Sequence, residues 1–312
     1  MPFFGDKGLL IVKKEATYGV DPVPTAAANA IRATNVRINP NPALIQREAL
    51  RDSLSSLAHA VGGVVMGISF DMELSASGAA GTAPKHGPLH LACRQKETIV
   101  VSTSVTYDLN SATQDSATCY FYADGILFKF LGARGNEKLS VTARGLAKFS
   151  WDMVGLYSAI TDVAIPSGAA FDSVVEVPSA IALTLGGYAA IMRSYNIDYG
   201  NVVEAHVDLN ATDGIKSIWL ARGRAKMDME VEAVTEASHT FWANAKAGTE
   251  VALGGNTLGG TAGKKLQITA PKVQYEQINM TELEAKIRGY SISAKLNPST
   301  DLLSDEVSKI YT

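Results

Sequence analysis

The chain has 312 residues, 46% of them hydrophobic and 19% charged, with a formal net charge of −3 at pH 7. That length holds two domain-sized cores, and that composition excludes a disordered chain. The balance of charge excludes a basic nucleic-acid-binding stripe, and no apolar run approaches the ~18 residues of a membrane-spanning helix.

Met1 to Lys7 lacks the charged-then-apolar layout of a signal peptide, so the expectation is a protein that folds in the cytoplasm where it is made, with no membrane insertion. Residues 1–30 read as an arm. Gly8 to Lys14 can form one short strand, and Asp21-Pro22-Val23-Pro24 then breaks regular structure. From Ile31 the period-two pattern of half-buried strands takes over. The first half predicts strands at Ala33–Asn39, Val64–Leu74, Ile99–Tyr107, Thr118–Tyr122, Ile126–Leu131 and Lys138–Val154. The second predicts Val174–Leu183, Ala189–Ile197, Glu204–Leu209, Arg224–Ala233, Lys265–Asn279 and Glu284–Leu296. Asp124-Gly125 is a two-residue hairpin signal, and Gly135-Asn136 and residues 254–263 read as longer turns.

Helix signals are few. Gly87 to Lys96 carries Pro88 at a helix start, and Ser238 to Ala247 has Ser238 as an N-cap candidate. The connection Pro40 to Gly63 lacks alternation and carries Arg47, Glu48, Arg51 and Asp52; connections of that length are functional or disordered. Pro166 to Asp172 is linker-like and divides the chain into 1–165 and 166–312.

Three echoes run across that boundary in one order. Phe70-Asp71-Met72-Glu73-Leu74 is answered by Met227-Asp228-Met229-Glu230-Val231, 157 positions later. Asn35 to Asn39 is answered by Ser194 to Asp198 at an offset of 159, and Lys148 to Trp151 by Gly289 to Ile292 at an offset of 141. Each half also places a short helix after its acidic strand. The expectation is one β module written twice.

Signals for chemistry are weak throughout. Gly259 to Lys265 fails the phosphate-loop spacing and reads as a hairpin turn. His86 and His90 are four apart, but Gly87-Pro88 intervenes and no further ligand follows, so they read as surface histidines rather than a metal site. Cys93 and Cys119 read as two half-buried thiols, and the Asn-x-Ser/Thr sequences at Asn210 and Asn279 have no meaning without secretion. The Gly67-to-Asp71 stretch lacks the last glycine of a nucleophile elbow. Asp71 and Glu73, about 7 Å apart on one strand face, could suit glycoside hydrolysis but read as a solvated face. No catalytic residues, metal ligands or cofactor are expected.

Gly8-Leu9-Leu10-Ile11-Val12-Lys13-Lys14-Glu15-Ala16-Thr17-Tyr18-Gly19-Val20-Asp21-Pro22, followed by Pro24-Thr25-Ala26-Ala27, resembles the N-terminus of major tail tube proteins of long-tailed, non-contractile bacteriophages. Tyr195-Asn196-Ile197-Asp198-Tyr199-Gly200-Asn201 resembles the same proteins in the second half. The resemblance implies modules of two packed antiparallel sheets flanked by a short helix, assembled as stacked rings into a tube. It implies self-association, other tail proteins at the tube ends, and a tape measure protein and then phage DNA in the lumen. With two modules per chain, a ring of three chains with pseudo-sixfold symmetry is expected. Arg47, Glu48, Arg51 and Asp52, with the N-terminal arm, become candidates for ring-to-ring contacts. On the echoing strands Met66, Ile68, Phe70, Met72, Leu74, Met227, Met229 and Val231 should face the cores. Asp71, Glu73, Asp228, Glu230 and Glu232 should face solvent, which is the lumen if these strands form the inner sheet. The rival reading is a carbohydrate-binding or glycoside-hydrolysing β-sandwich, which would expose clustered aromatics; Tyr120 and Tyr122 share a strand face.

Overall fold

The computed structural model describes residues 4–175, 181–221, 223–301 and 303–312. Alternating residues make strands, and 52% of the chain is strand with few, short helices, so the mainly β expectation holds. In chain order come β1 (Gly8–Lys14), β2 (Ala33–Ile45), β3 (Ala60–Glu73), helix α1 (Gly87–Ala92), β4 (Gln95–Val100), β5 (Ser104–Leu109), β6 (Ala117–Ala123), β7 (Ile126–Thr142) and β8 (Lys148–Leu156). Then follow β9 (Met192–Asp198), β10 (Val202–Val207), β11 (Ile215–Ala221), β12 (Lys226–Glu232), helix α2 (Phe241–Ala247), β13 (Glu250–Gly254), β14 (Leu266–Glu282), β15 (Arg288–Asn297) and β16 (Ser308–Tyr311).

One antiparallel sheet runs β2-β3-β8-β7-β9-β12-β15-β14-β13. Its registers recur along the sheet. Asp71 lies opposite Ser150 where β3 meets β8, and Glu230 opposite Ser291 where β12 meets β15. Ser150 lies opposite Lys138 where β8 meets β7, and Ser291 opposite Asn279 where β15 meets β14. Arg37 faces Ser69 between β2 and β3, and Asn196 faces Asp228 between β9 and β12. In this register Asp71 stands where Glu230 stands and Phe70 where Met229 stands. The similar five-residue phrases of the sequence are thus two residues out of step. Their inside-outside pattern survives because a two-residue slip restores the pleat.

Two smaller sheets cover the buried face. One joins the first part of β7 to β6, β1 and Ala30–Ile31; the other joins the first part of β14 to β16, β5 and β4. The hairpin β4–β5, early in the chain, is therefore continued by the C-terminal strand. β7 bends between two sheets at Gly132, which has φ +59° and sits at a bulge against β6. A Cβ there would come within 2.6 Å of the Tyr18 ring, so only glycine fits. The main core cluster gathers Phe70, Met72, Leu89, Phe130, Leu139, Phe149, Trp151, Ile197, Met229, Ile268 and Ile292 from both halves.

Several sequence expectations change. Ile99–Tyr107 is not one strand but parts of β4 and β5, which turn at 101–103. Gly135-Asn136 lies within β7, and the turn sits instead at 143–147, inside the segment read as one strand from Lys138 to Val154. The Pro40–Gly63 connection is partly strand: 40–45 belongs to β2 and 60–63 to β3, and 46–59 lies outside both. Gly8–Lys14 forms the expected strand, but it is no free arm, because Leu9 to Val12 are buried between two partner strands. Residues 176–180 of the predicted Val174–Leu183 strand lie outside the described residues. Pro88 starts α1 as expected, whereas Ser238 bonds Thr235 in a turn and α2 starts after Thr240.

Candidate assembly surfaces

Strand alternation places the sequence-predicted acidic residues on the face of the main sheet away from the core. Met66, Ile68, Phe70, Met72, Leu74, Met227, Met229 and Val231 are all buried. Asp71, Glu73, Asp228, Glu230 and Glu232 point the other way and are exposed or half-exposed.

Register brings cations onto the same face. One row across six strands reads Asp71, Ser150, Lys138, Asp198, Lys226 and Lys295. The next places Glu73 opposite Lys148. Lys138 Nζ is 2.9 Å from Asp198, whose other oxygen accepts from Asn136 Nδ2 at 2.7 Å. Arg193 reaches Glu230 at 3.5 Å and Glu284 at 3.4 Å. Asp71 accepts from Asn35 Nδ2 at 2.9 Å and Ser150 Oγ at 2.6 Å; these bonds, helped by the charges of Lys148 and Arg37, hold its carboxyl below the usual range. Ser293 donates to Asp228. Exposed pairs of this kind add little stability each, about 0–1 kcal/mol. Their effect is to leave a polar face of mixed charge, rich in serine and asparagine. Sequence reasoning found the carboxylates and missed the lysines, which come from strands distant in sequence.

The second surface is the tip of the β2–β3 hairpin. Arg47, Glu48, Arg51 and Asp52 are exposed there, and none forms an ion pair among the described residues. Leu50 and Leu54 stand fully in solvent, and Leu44, Ile45 and Val61 on the hairpin arms are exposed too. Apolar side chains gathered on a protruding tip mark an interaction surface. The hairpin rests on the β10–β11 hairpin, where Gly63 at φ +126° leaves room for the backbone of Asp213.

His86, His90, Cys93 and Cys119, which could have signalled metal or thiol chemistry, are packed away. His86 and His90 are fully buried, contrary to the surface expectation. His90 Nδ1 lies 2.7 Å from Glu137, which also bonds Lys309 and accepts from Gln95 Nε2 at 3.0 Å. Tyr311 links His86 at 2.9 Å and His90 at 3.3 Å. Burial drives the His90 imidazole down to about 4 and keeps it neutral, despite the carboxylate beside it. Burial alone would raise the Glu137 carboxyl, but His90 and Lys309 hold it well below its ordinary value. The cluster is a structural tie between α1, β7, β4 and β16. Cys93 and Cys119 are buried completely, which pushes the Cys119 thiol up to about 12. Tyr120 and Tyr122 face a small core cluster with Leu9 and Leu127, not solvent, which removes the support for sugar stacking. Among the described residues no group of three or more His, Cys, Asp or Glu is placed to hold a metal ion. No described helix is long and apolar enough to cross a membrane.

No curated protein matches the chain significantly. The family model described as "Phage tail tube protein" matches residues 5–290, nearly the whole chain. A β-rich chain whose exposed features are a broad polar sheet face and a protruding apolar tip suits such a building block. The chain therefore belongs to the phage tail tube protein family, as a structural, non-enzymatic component of the tail of the virion.

Proposed function

We propose that three copies of this chain close each ring of the tube, each contributing two tandem modules, 1–165 and 166–312, of two packed sheets and a short helix. The observation that carries this is the repeated register of the main sheet: β2-β3-β8-β7 is followed by β9-β12-β15-β14 with matching pairs. Two equivalent sheet units in one chain turn a six-position ring into three chains. The shared back sheet, in which β16 continues the β4–β5 hairpin, fastens the units together. Native mass spectrometry of isolated rings should return three chains, and six would reject the reading.

The polar face of the main sheet lines the lumen in this proposal, with Asp71, Glu73, Asp228, Glu230 and Glu232 on the wall. First the tape measure protein and then DNA would pass along it. Lysines bind phosphate and release counterions. Here Asp198 pairs with Lys138 and Glu276 with Lys226, which blunts two of the wall's cations toward a passing phosphate. Screening confines the effect to about 8 Å at physiological salt, so it acts as a non-stick lining. The hairpin tip with Arg47, Glu48, Arg51 and Asp52 makes the contact with the next ring, and other tail proteins meet the tube at its two ends.

A further inference from the structure

Where β7 meets β9, the two halves of the main sheet join inside one chain. Asp198 lies opposite Lys138, Ile197 opposite Leu139 and Asn196 opposite Ser140. Two strand edges resemble the partners of this junction but have no partner among the described residues. β2 pairs only with β3 among the described residues. β14 pairs with β13 only up to Gln274, which leaves the edge of 276–282 open among the described residues.

The registers map one junction onto the other. Lys138, Leu139 and Ser140 face Ser150, Phe149 and Lys148; Asn279, Met280 and Thr281 face Ser291, Tyr290 and Gly289 in the same way. Likewise Ile38 and Asn39 face Ile68 and Gly67 as Ile197 and Asp198 face Met227 and Lys226. Burial points the same way. Leu139 and Ile197 are each 1% exposed, sealed by the junction, whereas Met280, in the place of Leu139, is 69% exposed. Ile38, in the place of Ile197, is half-buried.

We propose that the open edge of β14 pairs antiparallel with β2 of a second copy of this chain, with Asn279 opposite Asn39, Met280 opposite Ile38 and Thr281 opposite Arg37. This deepens the ring reading and rests on it. Met280 and Ile38 then fill the seam as Leu139 and Ile197 do within the chain. The Lys138–Asp198 ion pair is replaced by Asn279 and Asn39, so the two kinds of seam in a ring differ: one is charged and covalently continuous, the other uncharged at this position. An unpaired strand edge is an aggregation hazard, and this register gives it one partner.

Cysteine cross-linking tests the register. In tubes of the Asn39→Cys/Asn279→Cys variant the two sulfurs belong to facing residues, whose Cα atoms sit about 4.5–5.5 Å apart, within disulfide range. Pairs slipped by two residues, Asn39→Cys with Gln277→Cys or with Thr281→Cys, lie at roughly 7–8 Å and should cross-link about ten-fold less. The native Cys93 and Cys119 are buried and should not interfere. Non-reducing gels should show covalent oligomers for the facing pair alone. Met280→Glu should leave the monomer's circular dichroism unchanged and abolish ring closure. Tubes that cross-link at a slipped pair or at none of the three, or Met280→Glu tubes that form normally, overturn this seam and leave the tube reading standing. A wild-type chain that forms no ring overturns both.

Discussion

Lys309→Met should break a fully buried ion pair in the core. Lys309 and Glu137 are both fully buried, and the Glu137 carboxylate also accepts from His90 at 2.7 Å and Gln95 at 3.0 Å. Removing the ammonium strands a buried anion, which costs about 3–5 kcal/mol. The two remaining donors place the expected value toward the lower end. The carboxyl can also escape by taking up a proton, which at pH 7 costs about 1.4 kcal/mol for each pH unit above its ordinary value and so caps the penalty near the same figure. Folded domains hold only about 5–15 kcal/mol in total, so the loss should be plain in urea unfolding at pH 7. Trp151 is a local reporter, since its ring lies 6.0 Å from those of both His86 and His90. The double variant Glu137→Gln/Lys309→Met should recover most of the loss, because replacing a whole buried pair is nearly neutral. A single variant less stable by under about 1 kcal/mol would refute the claim that this pair holds the C-terminal strand.

Acid should weaken the isolated chain above the carboxylate range. The folded His90 value, about 4, lies below the ordinary 6.5, so the unfolded state binds the proton first and stability falls as pH drops from 6.5 toward 4. The slope there should be about 1.4 kcal/mol per pH unit for each such histidine; His86, also depressed by burial, adds to it, and His90→Gln should flatten the curve. Gly132→Ala should cost about 1–3 kcal/mol in thermal or urea unfolding, through its positive φ and the Tyr18 ring. Replacing 46–59 by a short turn should leave monomer circular dichroism intact and prevent tube elongation; normal tubes by negative-stain microscopy would reject the tip as a ring-to-ring contact. Asp71→Lys, Glu73→Lys, Asp228→Lys and Glu230→Lys together should leave tubes assembled and slow DNA ejection, and unchanged kinetics would place the lining elsewhere.

Local pattern by itself determined the strand content and the side each residue faces. Met72 and Met229 point inward and Asp71 and Glu230 outward because successive side chains on a pleated strand alternate, whatever the partner. It also carried Asp124-Gly125 as a hairpin turn and Pro88 at a helix start, since those residues restrict their own backbone. Tertiary structure decided which strands are neighbours. Lys138 meets Asp198 and Glu73 meets Lys148 through pairings across long sequence separations, and a period of two carries no information about a partner. The same limit hid the two-residue slip between the acidic phrases. It also turned His86 and His90 from surface residues into core ones. Their burial depends on a carboxylate 47 residues beyond His90 and a lysine 219 beyond it, brought together only when β16 closes the back sheet.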